Sequence, residues 1–233
     1  MSYTRSAEFY DLLYHWKDYA AESERLRELV AARNPDAKTL LDVACGSGRH
    51  LEYLRRWYEV EGLDAEAGLL DVARGRLPGI ELHAGNMRDF ALPRRFDVVT
   101  CLFSAIGYMH TLADLGAAVA TMAAHLAPGG LLIVEPWFSA ERFDPRHIGG
   151  PQVGEGTDIK VVRMNGSRVE GRLSVMDFHY LVGRPGHVEH FTETHTLALF
   201  SDDEYRASFV AAGLHVEHDP DGLMGRGLWL GVK

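Results

Sequence analysis

Short apolar segments alternate with helical segments between residues 39 and 135, and this alternation restricts the possible folds more than any other feature of the chain. Strands are predicted at 39–44, 58–63, 80–83, 96–103 and 131–135, and helices at 48–57, 65–76 and 112–126. Strands that alternate with helices are typical of a parallel sheet covered by helices on both faces. The sequence therefore predicts an α/β fold with a doubly wound, Rossmann-like sheet.

The segments on either side of this core show other patterns. Apolar residues recur at helical spacing between 7 and 33, so we expect residues 1–38 to form an N-terminal helical lid. After Pro136 the period becomes two, which predicts a three-stranded antiparallel insertion over 151–200. Its strands are expected at 158–164, 168–182 and 188–200, separated by turns at Asn165-Gly166 and Arg184-Pro185-Gly186. A helix at 201–212 and strands at 214–218 and 228–232 complete a single domain of residues 1–233.

The charge and composition exclude several classes of partner. The formal net charge is −9, and the Lys and Arg residues are scattered along the chain. A nucleic-acid partner requires a basic surface, so we expect a small-molecule substrate. No apolar run reaches the about 20 residues of a membrane span, and no secretory signal opens the chain, which predicts a cytoplasmic protein that does not use a membrane. Cys45 and Cys101 belong to no C-x-x-C motif and have no histidine nearby at the spacing of a metal ligand, so they are expected to be buried free thiols.

The most informative local motif is the turn Asp42-Val43-Ala44-Cys45-Gly46-Ser47-Gly48, which follows a predicted strand and opens a predicted helix. Its glycines permit positive φ and a close approach of the backbone to a ligand, and the helix start presents free amide groups. The dinucleotide pattern G-x-G-x-x-G fits poorly because position 51 is leucine. The segment instead resembles the D/E-x-x-x-G-x-G pattern of S-adenosylmethionine sites. A tight strand–helix turn of another α/β protein is the alternative.

Polar residues after the next strands strengthen this interpretation. Asp64 ends the second strand, where a carboxylate accepts ribose hydroxyls in nucleotide-binding folds; an N-cap role for the next helix is compatible with this. We expect Asn86 to accept from the adenine amine and Met87 to pack on the ring, with an ordinary β-turn as the alternative. Residues 101–104 end the fourth strand. Ligands of open α/β sheets bind at these carboxyl ends.

Together these stretches resemble class I S-adenosylmethionine-dependent methyltransferases over residues 39–137. A closer similarity extends over nearly the whole chain to the N,N-dimethyltransferases of nucleotide-linked amino sugars, of the desosamine and mycaminose type. The matching stretches are 9–12, 17–19, 41–48, 85–90, 100–108, 134–137 and 225–228. The most specific of them are Cys-x-Phe-Ser, Glu-Pro-Trp and the C-terminal Gly-Arg-Gly.

The resemblance implies a substrate, a cofactor and a set of site residues. The substrate would be a dTDP-3-amino-deoxyhexose whose nitrogen receives two methyl groups from S-adenosyl-L-methionine. The implied cofactor-binding residues are Tyr10, Tyr19, Asp42, Ala44, Gly46, Gly48, Asp64, Asn86, Met87, Arg88, Cys101 and Phe103. The implied substrate-binding residues are Tyr14, Trp137, His179 and Arg226. An arginine between two glycines has room for bidentate phosphate contacts, although a solvated loop arginine is the alternative.

The chain departs from the family pattern at three places. It lacks a Gly-Lys-Gly insertion before Lys17, it has Ser139 after Phe138 without a second tryptophan, and Asn86 replaces the more common aspartate. These departures leave methyl transfer intact and concern the identity of the sugar.

Methyl transfer from a sulfonium needs mainly an acceptor lone pair held in line with the departing sulfur, and orientation can supply about 7–11 kcal/mol. An amine must also be unprotonated, so a nearby proton acceptor helps. Tyr108, Ser104 and His110 are the expected catalytic residues, and Tyr108 is placed best because it follows the fourth strand. His179 is a further candidate acceptor in the insertion; surface positions are the alternative for both histidines. We expect no metal, since the histidines form no H-x-H or H-x-x-x-H cluster.

Two other functions stay open on the sequence alone. One is O- or N-methylation of another small molecule, and the other is a non-catalytic module that binds S-adenosylmethionine. A homodimer is compatible with each of them.

Overall fold

The computed structural model describes residues 5–233, which contain two β-sheets. The strands are β1 (Thr39–Val43), β2 (Glu59–Asp64), β3 (Glu81–Ala84), β4 (Phe96–Cys101), β5 (Leu126–Val134), β6 (Gly149–Gly156), β7 (Ile159–Glu170), β8 (Leu173–Arg184), β9 (His187–Ala198), β10 (His215–Asp219) and β11 (Leu228–Val232). Seven form a central sheet in the order β10-β11-β5-β4-β1-β2-β3. The five strands β5, β4, β1, β2 and β3 lie side by side in that order and pair in parallel. Strand β11 is antiparallel to both of its neighbours, β10 and β5. The predicted α/β fold is confirmed.

The order of strands in the central sheet fixes where a ligand can bind. The chain proceeds outward from β1 to β3 on one side and from β4 to β5 on the other, so β1 and β4 flank the point where the order reverses. Open α/β sheets bind ligands in the crevice at the carboxyl ends of the strands beside such a point.

The described residues form six α-helices. They are α1 (Tyr10–Leu13), α2 (Tyr19–Arg33), α3 (Arg49–Leu54), α4 (Ala67–Arg76), α5 (Leu112–Ala124) and α6 (Asp202–Ala211), with short 3-10 helices at Ser6–Phe9 and Ala105–Tyr108. Of the six, α2, α5 and α6 begin at a side-chain N-cap. The predicted N-cap at Ser201 forms a full capping box with Glu204. None of the helices within residues 5–233 has the length and apolar character needed to cross a membrane.

The apolar residues of the central strands form two buried layers, one on each face of the sheet. Leu40 and Val98 are neighbours in register and face one layer, whereas Leu41 and Val99 face the other. All four side chains are fully or almost fully buried. Burial on both faces explains why these strands read as continuous apolar runs.

The insertion contains four antiparallel strands, β6 to β9, so the prediction of three strands was wrong. The missed strand β6 has the sequence Gly-Gly-Pro-Gln-Val-Gly-Glu-Gly and therefore shows no period-two pattern. The structure gives a reason for one of its glycines: a Cβ at Gly154 would lie 2.8 Å from the backbone of Leu12, so only glycine lets the N-terminal segment approach this strand.

The predicted turn at Asn165-Gly166 was also wrong, because both residues lie inside β7 and pair with β8. The chain turns instead after β7 at Gly171, whose φ of 62° is costly for other residues. The predicted turn at Arg184-Pro185-Gly186 does join β8 to β9. The predicted lid over 1–38 begins with residues 1–4, which lie outside the described residues.

We expect Gly62→Ala to lower the free energy of unfolding by about 1–3 kcal/mol, a typical cost of overpacking. A Cβ at Gly62 in β2 would lie 2.8 Å from the side chains of Cys45 and Leu51. These two residues pack the Asp42–Gly48 turn and α3 onto this strand. The control is Gly116→Ala in α5, where a Cβ has no neighbour within 4 Å and should add about 0.5–1 kcal/mol. Urea denaturation measures both, and shifts of the same sign would contradict this account.

Candidate active site

Three cavities adjoin at the carboxyl ends of β1, β2 and β4, and Phe103 lines all of them. The strand-edge cavity, about 440 Å³, contains Asp64 and Asn86. The inner cleft, about 30 Å³, contains Asp42. The aromatic cavity, about 350 Å³, lies between this edge and the antiparallel sheet. Tyr108 lines both the strand-edge and the aromatic cavity, so these two spaces meet at Phe103 and Tyr108.

Both strands beside the reversal point end in left-handed backbone. Ala44 after β1 has φ of 60°, and Phe103 and Ser104 after β4 have φ of 52° and 62°. Such conformations cost non-glycine residues about 1–3 kcal/mol each and persist only where the surroundings enforce them. The strain therefore lies at the residues that line the cavities.

A buried carboxylate and a hydroxyl hold the turn after β4. Glu135 is fully buried and accepts from the Phe103 amide at 2.7 Å and from the Arg226 guanidinium at 3.1 Å. The Ser104 hydroxyl donates to the carbonyl of Pro136 at 2.7 Å. These bonds join β4, β5 and the C-terminal loop at a single place.

The strand-edge cavity presents an oriented carboxylate. The two oxygens of Asp64 accept from the amides of Gly46 at 2.7 Å and Glu66 at 2.8 Å. Burial raises the pKa of Asp64, although these backbone bonds oppose the shift. The Asn86 side chain accepts from the Arg88 amide at 3.0 Å, and Asn86 lines the cavity. Each oxygen of the Asp64 carboxylate keeps a lone pair that can accept from a ligand donor.

The inner cleft is bounded by a second buried carboxylate and a buried network of charged groups. Asp42 accepts from the Thr100 hydroxyl at 2.7 Å, and burial raises the pKa of Asp42 to about 6. Glu22 bonds to the His50 ring at 2.7 Å and to the Lys17 ammonium. Burial would raise the pKa of Glu22, but the bonds to His50 and Lys17 outweigh it and hold that pKa below its usual range. The network ties the N-terminal segment to the turn after β1.

The aromatic cavity has cationic and aromatic walls, and no Asp or Glu is among its lining residues. The Arg226 guanidinium lies 5.5 Å from the ring centre of Phe103 and 5.8 Å from that of Trp137. Arg163 donates to the Tyr14 hydroxyl at 2.9 Å and lies 4.6 Å from the ring centre of Phe178. Such walls favour an anionic ligand that carries an aromatic ring.

Most of the residues expected from the sequence lie in these cavities. The strand-edge cavity is lined by Tyr10, Ala44, Gly46, Asp64, Asn86, Met87, Phe103, Tyr108 and His110. Tyr19 and Asp42 line the inner cleft. Tyr14, Ser104, Trp137 and Arg226 line the aromatic cavity.

Three expected cofactor residues lie outside the cavities. The Arg88 side chain is exposed and pairs with Asp114 at 2.8 Å. Cys101 is fully buried in β4. Gly48 is the N-cap of α3, and a Cβ there would lie 2.6 Å from Leu77, so its role is to let the turn pack. The side chains of Arg88 and Cys101 therefore line none of the three cavities, and the role of both residues in binding the cofactor stays a prediction.

His179, an expected substrate residue, lies outside the three cavities. His179 is exposed on the outer face of β8, where its ring bonds to His190 at 3.2 Å. The sequence analysis missed His195 and Arg163, which line the aromatic cavity. Period-two alternation identifies His195, since it shares the inward face of β9 with the buried Phe191 and Leu197.

All three expected catalytic residues are engaged in hydrogen bonds, and the Tyr108 hydroxyl lies 2.7 Å from Nδ1 of His195. His110 is exposed and its Nε2 donates to the carbonyl of Thr196 at 2.9 Å. The Ser104 proton is donated to Pro136, which favours a role in holding the turn. Of the three, Tyr108 is the one that lines both the strand-edge cavity and the aromatic cavity, so it stands at their junction.

Within residues 5–233, one group of three side chains has the spacing of metal ligands, namely Glu61, Glu81 and His83. This group lies outside the three cavities. Glu61 already bonds to His83 at 2.8 Å and to Arg94 at 3.0 Å.

Residues 40–130 match a family model described as a methyltransferase domain. The chain is 45% identical over 230 residues to the dTDP-3-amino-3,4,6-trideoxy-alpha-D-glucopyranose N,N-dimethyltransferase of Streptomyces venezuelae, and the alignment covers 97% of each chain. It is 40% identical to the dTDP-4-amino-2,3,4,6-tetradeoxy-D-glucose N,N-dimethyltransferase of Saccharopolyspora spinosa, which covers 97% of this chain and 92% of that one.

Solved structures show the same similarity. The crystal structure of Streptomyces venezuelae DesVI superimposes with a TM-score of 0.92 at 45% identity and covers 97% of both chains. The SAM-bound structure of CalS10, an amino pentose methyltransferase from Micromonospora echinaspora, superimposes with a TM-score of 0.84 at 41% identity, covering 93% of this chain and 92% of that one.

Asp42→Asn should stabilise the protein at neutral pH and much less in acid. Because the folded pKa of Asp42 is raised from 3.8 to about 6, its ionisation destabilises the fold as pH rises through this window. The gain should reach about 1–3 kcal/mol above pH 6 and vanish near pH 4. Thermal unfolding of both proteins between these pH values measures it.

Asp97→Asn is the control with the opposite sign. Burial would raise the pKa of Asp97, but bonds from Lys38 and Thr39 outweigh it and lower that pKa, so its carboxylate stabilises the fold at neutral pH. The variant should lose stability at neutral pH and lose less as the carboxylate is protonated in acid. If the two variants followed the same pH trend, the assignment of Asp42 would be contradicted.

Proposed function

This chain belongs to the S-adenosylmethionine-dependent N,N-dimethyltransferases of dTDP-linked amino sugars, and we propose that it adds two methyl groups to the nitrogen of a dTDP-3-amino-deoxyhexose. The observation that carries the proposal is the junction at Phe103 and Tyr108. A cavity with an oriented carboxylate and a cavity with cationic, aromatic walls meet there.

The strand-edge cavity and the inner cleft fit S-adenosylmethionine. Asp64 offers two oriented oxygens to the ribose hydroxyls, and Asn86 and Met87 lie on the same wall for the adenine ring. Asp42 lies in the inner cleft, where a carboxylate would pair with the amino group of the methionine end. When bound, S-adenosylmethionine supplies an electrophilic methyl group on its sulfonium.

The aromatic cavity suits a dTDP sugar. Thymine can stack on the rings of Trp137 and its neighbours, and the diphosphate charge is complementary to Arg163 and Arg226. No Asp or Glu is among the described residues that line this cavity, although the fully buried Glu135 pairs with Arg226 at 3.1 Å and offsets part of its charge. A volume of about 350 Å³ lies within the range of small-molecule sites.

Tyr108 is the residue that meets the reacting nitrogen in this proposal. A sugar held in the aromatic cavity with its amine toward the junction would reach the Tyr108 hydroxyl. The hydroxyl positions the amine, and the ring of Phe103 separates the remainder of the two ligands. Orientation of this kind supplies most of what methyl transfer requires.

The N-terminal segment acts as a lid in this proposal. Tyr10 and Tyr19 line the inner cleft, and the network of Lys17, Glu22 and His50 ties the described part of this segment, residues 5–38, over it. The chain of 233 residues works as one domain whose insertion at 151–200 walls the substrate side. A cytoplasmic location agrees with the free thiols of both cysteines.

The activity is tested by incubating the protein with S-adenosylmethionine and three sugars: a dTDP-3-amino-deoxyhexose, its 4-amino isomer and the 3-amino sugar without the nucleotide. We expect two successive methyl mass increments on the first by mass spectrometry, and little product from the free sugar because Arg163 and Arg226 then lack their partner. The 4-amino isomer tests the position of the nitrogen, since relatives of both kinds exist.

Asp64→Ala is the matched variant for the cofactor. Loss of charged hydrogen bonds should weaken the binding of S-adenosylmethionine about 10–100-fold, measured by calorimetry. Binding of the cofactor without methylation of any dTDP-amino sugar would contradict the proposed function.

The chain would form a homodimer through the outer face of the antiparallel sheet. Val153, Val162, Leu181 and His190 form one cross-strand row on that face, and Val153 and Leu181 are 43% and 50% exposed. The row has no fixed charge, so a second copy of this −9 chain meets no like-charge repulsion there.

Leu181→Asp should therefore convert a dimer into a monomer, measured by light scattering after size-exclusion chromatography. Val210→Asp on α6 is the control, since Val210 is 60% exposed and lies away from this sheet. A wild-type mass equal to that of one chain would refute the dimer.

A further inference from the structure

The hydroxyl of Tyr108 is bonded to a buried imidazole. Its oxygen lies 2.7 Å from Nδ1 of His195, and His195 is 2% exposed. The His195 ring also packs edge-on against Phe178 at 4.8 Å between centres. The imidazole therefore lies behind the hydroxyl that faces the junction of the two cavities.

A carboxylate lies on the other side of this imidazole. Glu193 Oε2 is 3.9 Å from Nε2 of His195. The amides of Arg5 and Ser6 donate to Glu193 Oε1 at 2.7 and 3.2 Å, and the Ser6 hydroxyl donates to Oε2 at 2.5 Å. Burial would raise the pKa of Glu193, but the nearby His195 and the bonds from Ser6 and Arg5 outweigh it and lower that pKa to about 2. Glu193 is therefore negatively charged at neutral pH.

The position of this charge favours one tautomer of His195. A carboxylate beside Nε2 favours a proton on that nitrogen, which leaves Nδ1 as the acceptor of the Tyr108 hydroxyl. The order Tyr108–His195–Glu193 then has a donor facing an acceptor at each step. The carboxylate is 3.9 Å from Nε2, beyond a direct hydrogen bond, so it orients the imidazole through its charge.

Other charged and titratable groups surround this set from several elements. They are Tyr10 of α1, Arg163 of β7, Tyr180 of β8 and Arg5 at the start of the described chain. Arg163 and Arg5 are cations, so they oppose an added proton on His195, whereas Glu193 favours it. Glu193 lies 3.9 Å from Nε2 of His195, close enough for its opposite charge to favour the protonated ring.

We propose, on the basis of the function proposed above, that His195, oriented by Glu193, accepts the proton that Tyr108 takes from the substrate ammonium. The N–H bond of the ammonium breaks as a proton moves to the Tyr108 oxygen, and the Tyr108 proton moves to Nδ1 of His195. The amine is left neutral with a free lone pair, and His195 becomes an imidazolium beside Glu193. Before each further transfer the proton returns through Tyr108 to water in the open cavity, so His195 is neutral again when the nitrogen must next lose a proton.

Dimethylation requires this step twice. The nitrogen becomes an ammonium again after the first methyl group is added, and it must lose a proton before it can accept the second. A proton acceptor within the site lets both transfers occur without release of the monomethyl sugar. His195 is thus a positioning and proton-accepting residue that acts through Tyr108.

The test compares wild type with His195→Asn, Glu193→Gln and Tyr108→Phe on the dTDP-3-amino sugar. Asparagine still accepts a hydrogen bond from Tyr108 but cannot take up the proton, so the variant must use amine that is already neutral in solution. We expect kcat/KM to fall about tenfold near neutral pH. The loss should shrink as pH rises toward the pKa of the sugar amine, and the fraction of monomethyl product should increase severalfold.

The control is His187→Asn, the same substitution at an exposed position of the same strand, which should leave rate and product ratio unchanged. If the loss in His195→Asn were the same at every pH and the product ratio did not change, the proton-acceptor role would be overturned while the proposed function stood. If wild type methylated no amino sugar, the function itself would fail.

A second measurement needs no turnover. Nitrogen-15 NMR of the histidine-labelled protein, with His195 assigned by its loss in His195→Asn, should show a proton on Nε2 and none on Nδ1. A proton on Nδ1 would overturn the order of donors and acceptors on which the proposal depends.

Discussion

The carboxylate of Glu135 is the constraint on which the site depends. It has no contact with solvent, and it accepts from the Phe103 amide and from Arg226. A buried carboxylate is costly unless its oxygens are bonded, so the pair with Arg226 and the turn at Phe103 stabilise one another. The left-handed backbone at Phe103 and Ser104 persists because these bonds enforce it. Removal of either partner would release the turn that separates the cavities.

The two ends of the chain also converge on Phe103. The Lys17 ammonium lies 4.4 Å from the centre of that ring, and the Arg226 guanidinium lies 5.5 Å from it. Met224 lies between the two cations, with its sulfur 3.0 Å from Lys17 and 3.4 Å from Arg226. Glu22 and Glu135 balance these charges. The lid, the turn after β4 and the C-terminal loop therefore form one connected unit, which explains why residues far apart in sequence share one site.

The sequence was sufficient for the features that depend on local pattern. The order of strands and helices, the Asp42–Gly48 turn and Asp64 follow from apolar period, glycine spacing and strand position. It was insufficient where long-range contact decides. Strand β6 is glycine-rich because other segments approach it, and no period reveals that. The residue type alone does not distinguish His179 from His195. Only the period-two alternation of their strands shows that His179 lies on the outer face and His195 on the inner face. The partner of Arg226 is a strand end 91 residues away.

A crystal structure of the protein with S-adenosylhomocysteine and a dTDP-3-amino-deoxyhexose tests the central claim most directly, that two ligands meet at Phe103 and Tyr108. We expect the adenosine beside Asp64, the nucleotide in the aromatic cavity, and the sugar nitrogen at hydrogen-bond distance, about 3 Å, from the Tyr108 oxygen. A sugar nucleotide bound elsewhere, or a nitrogen directed away from Tyr108, would contradict the account.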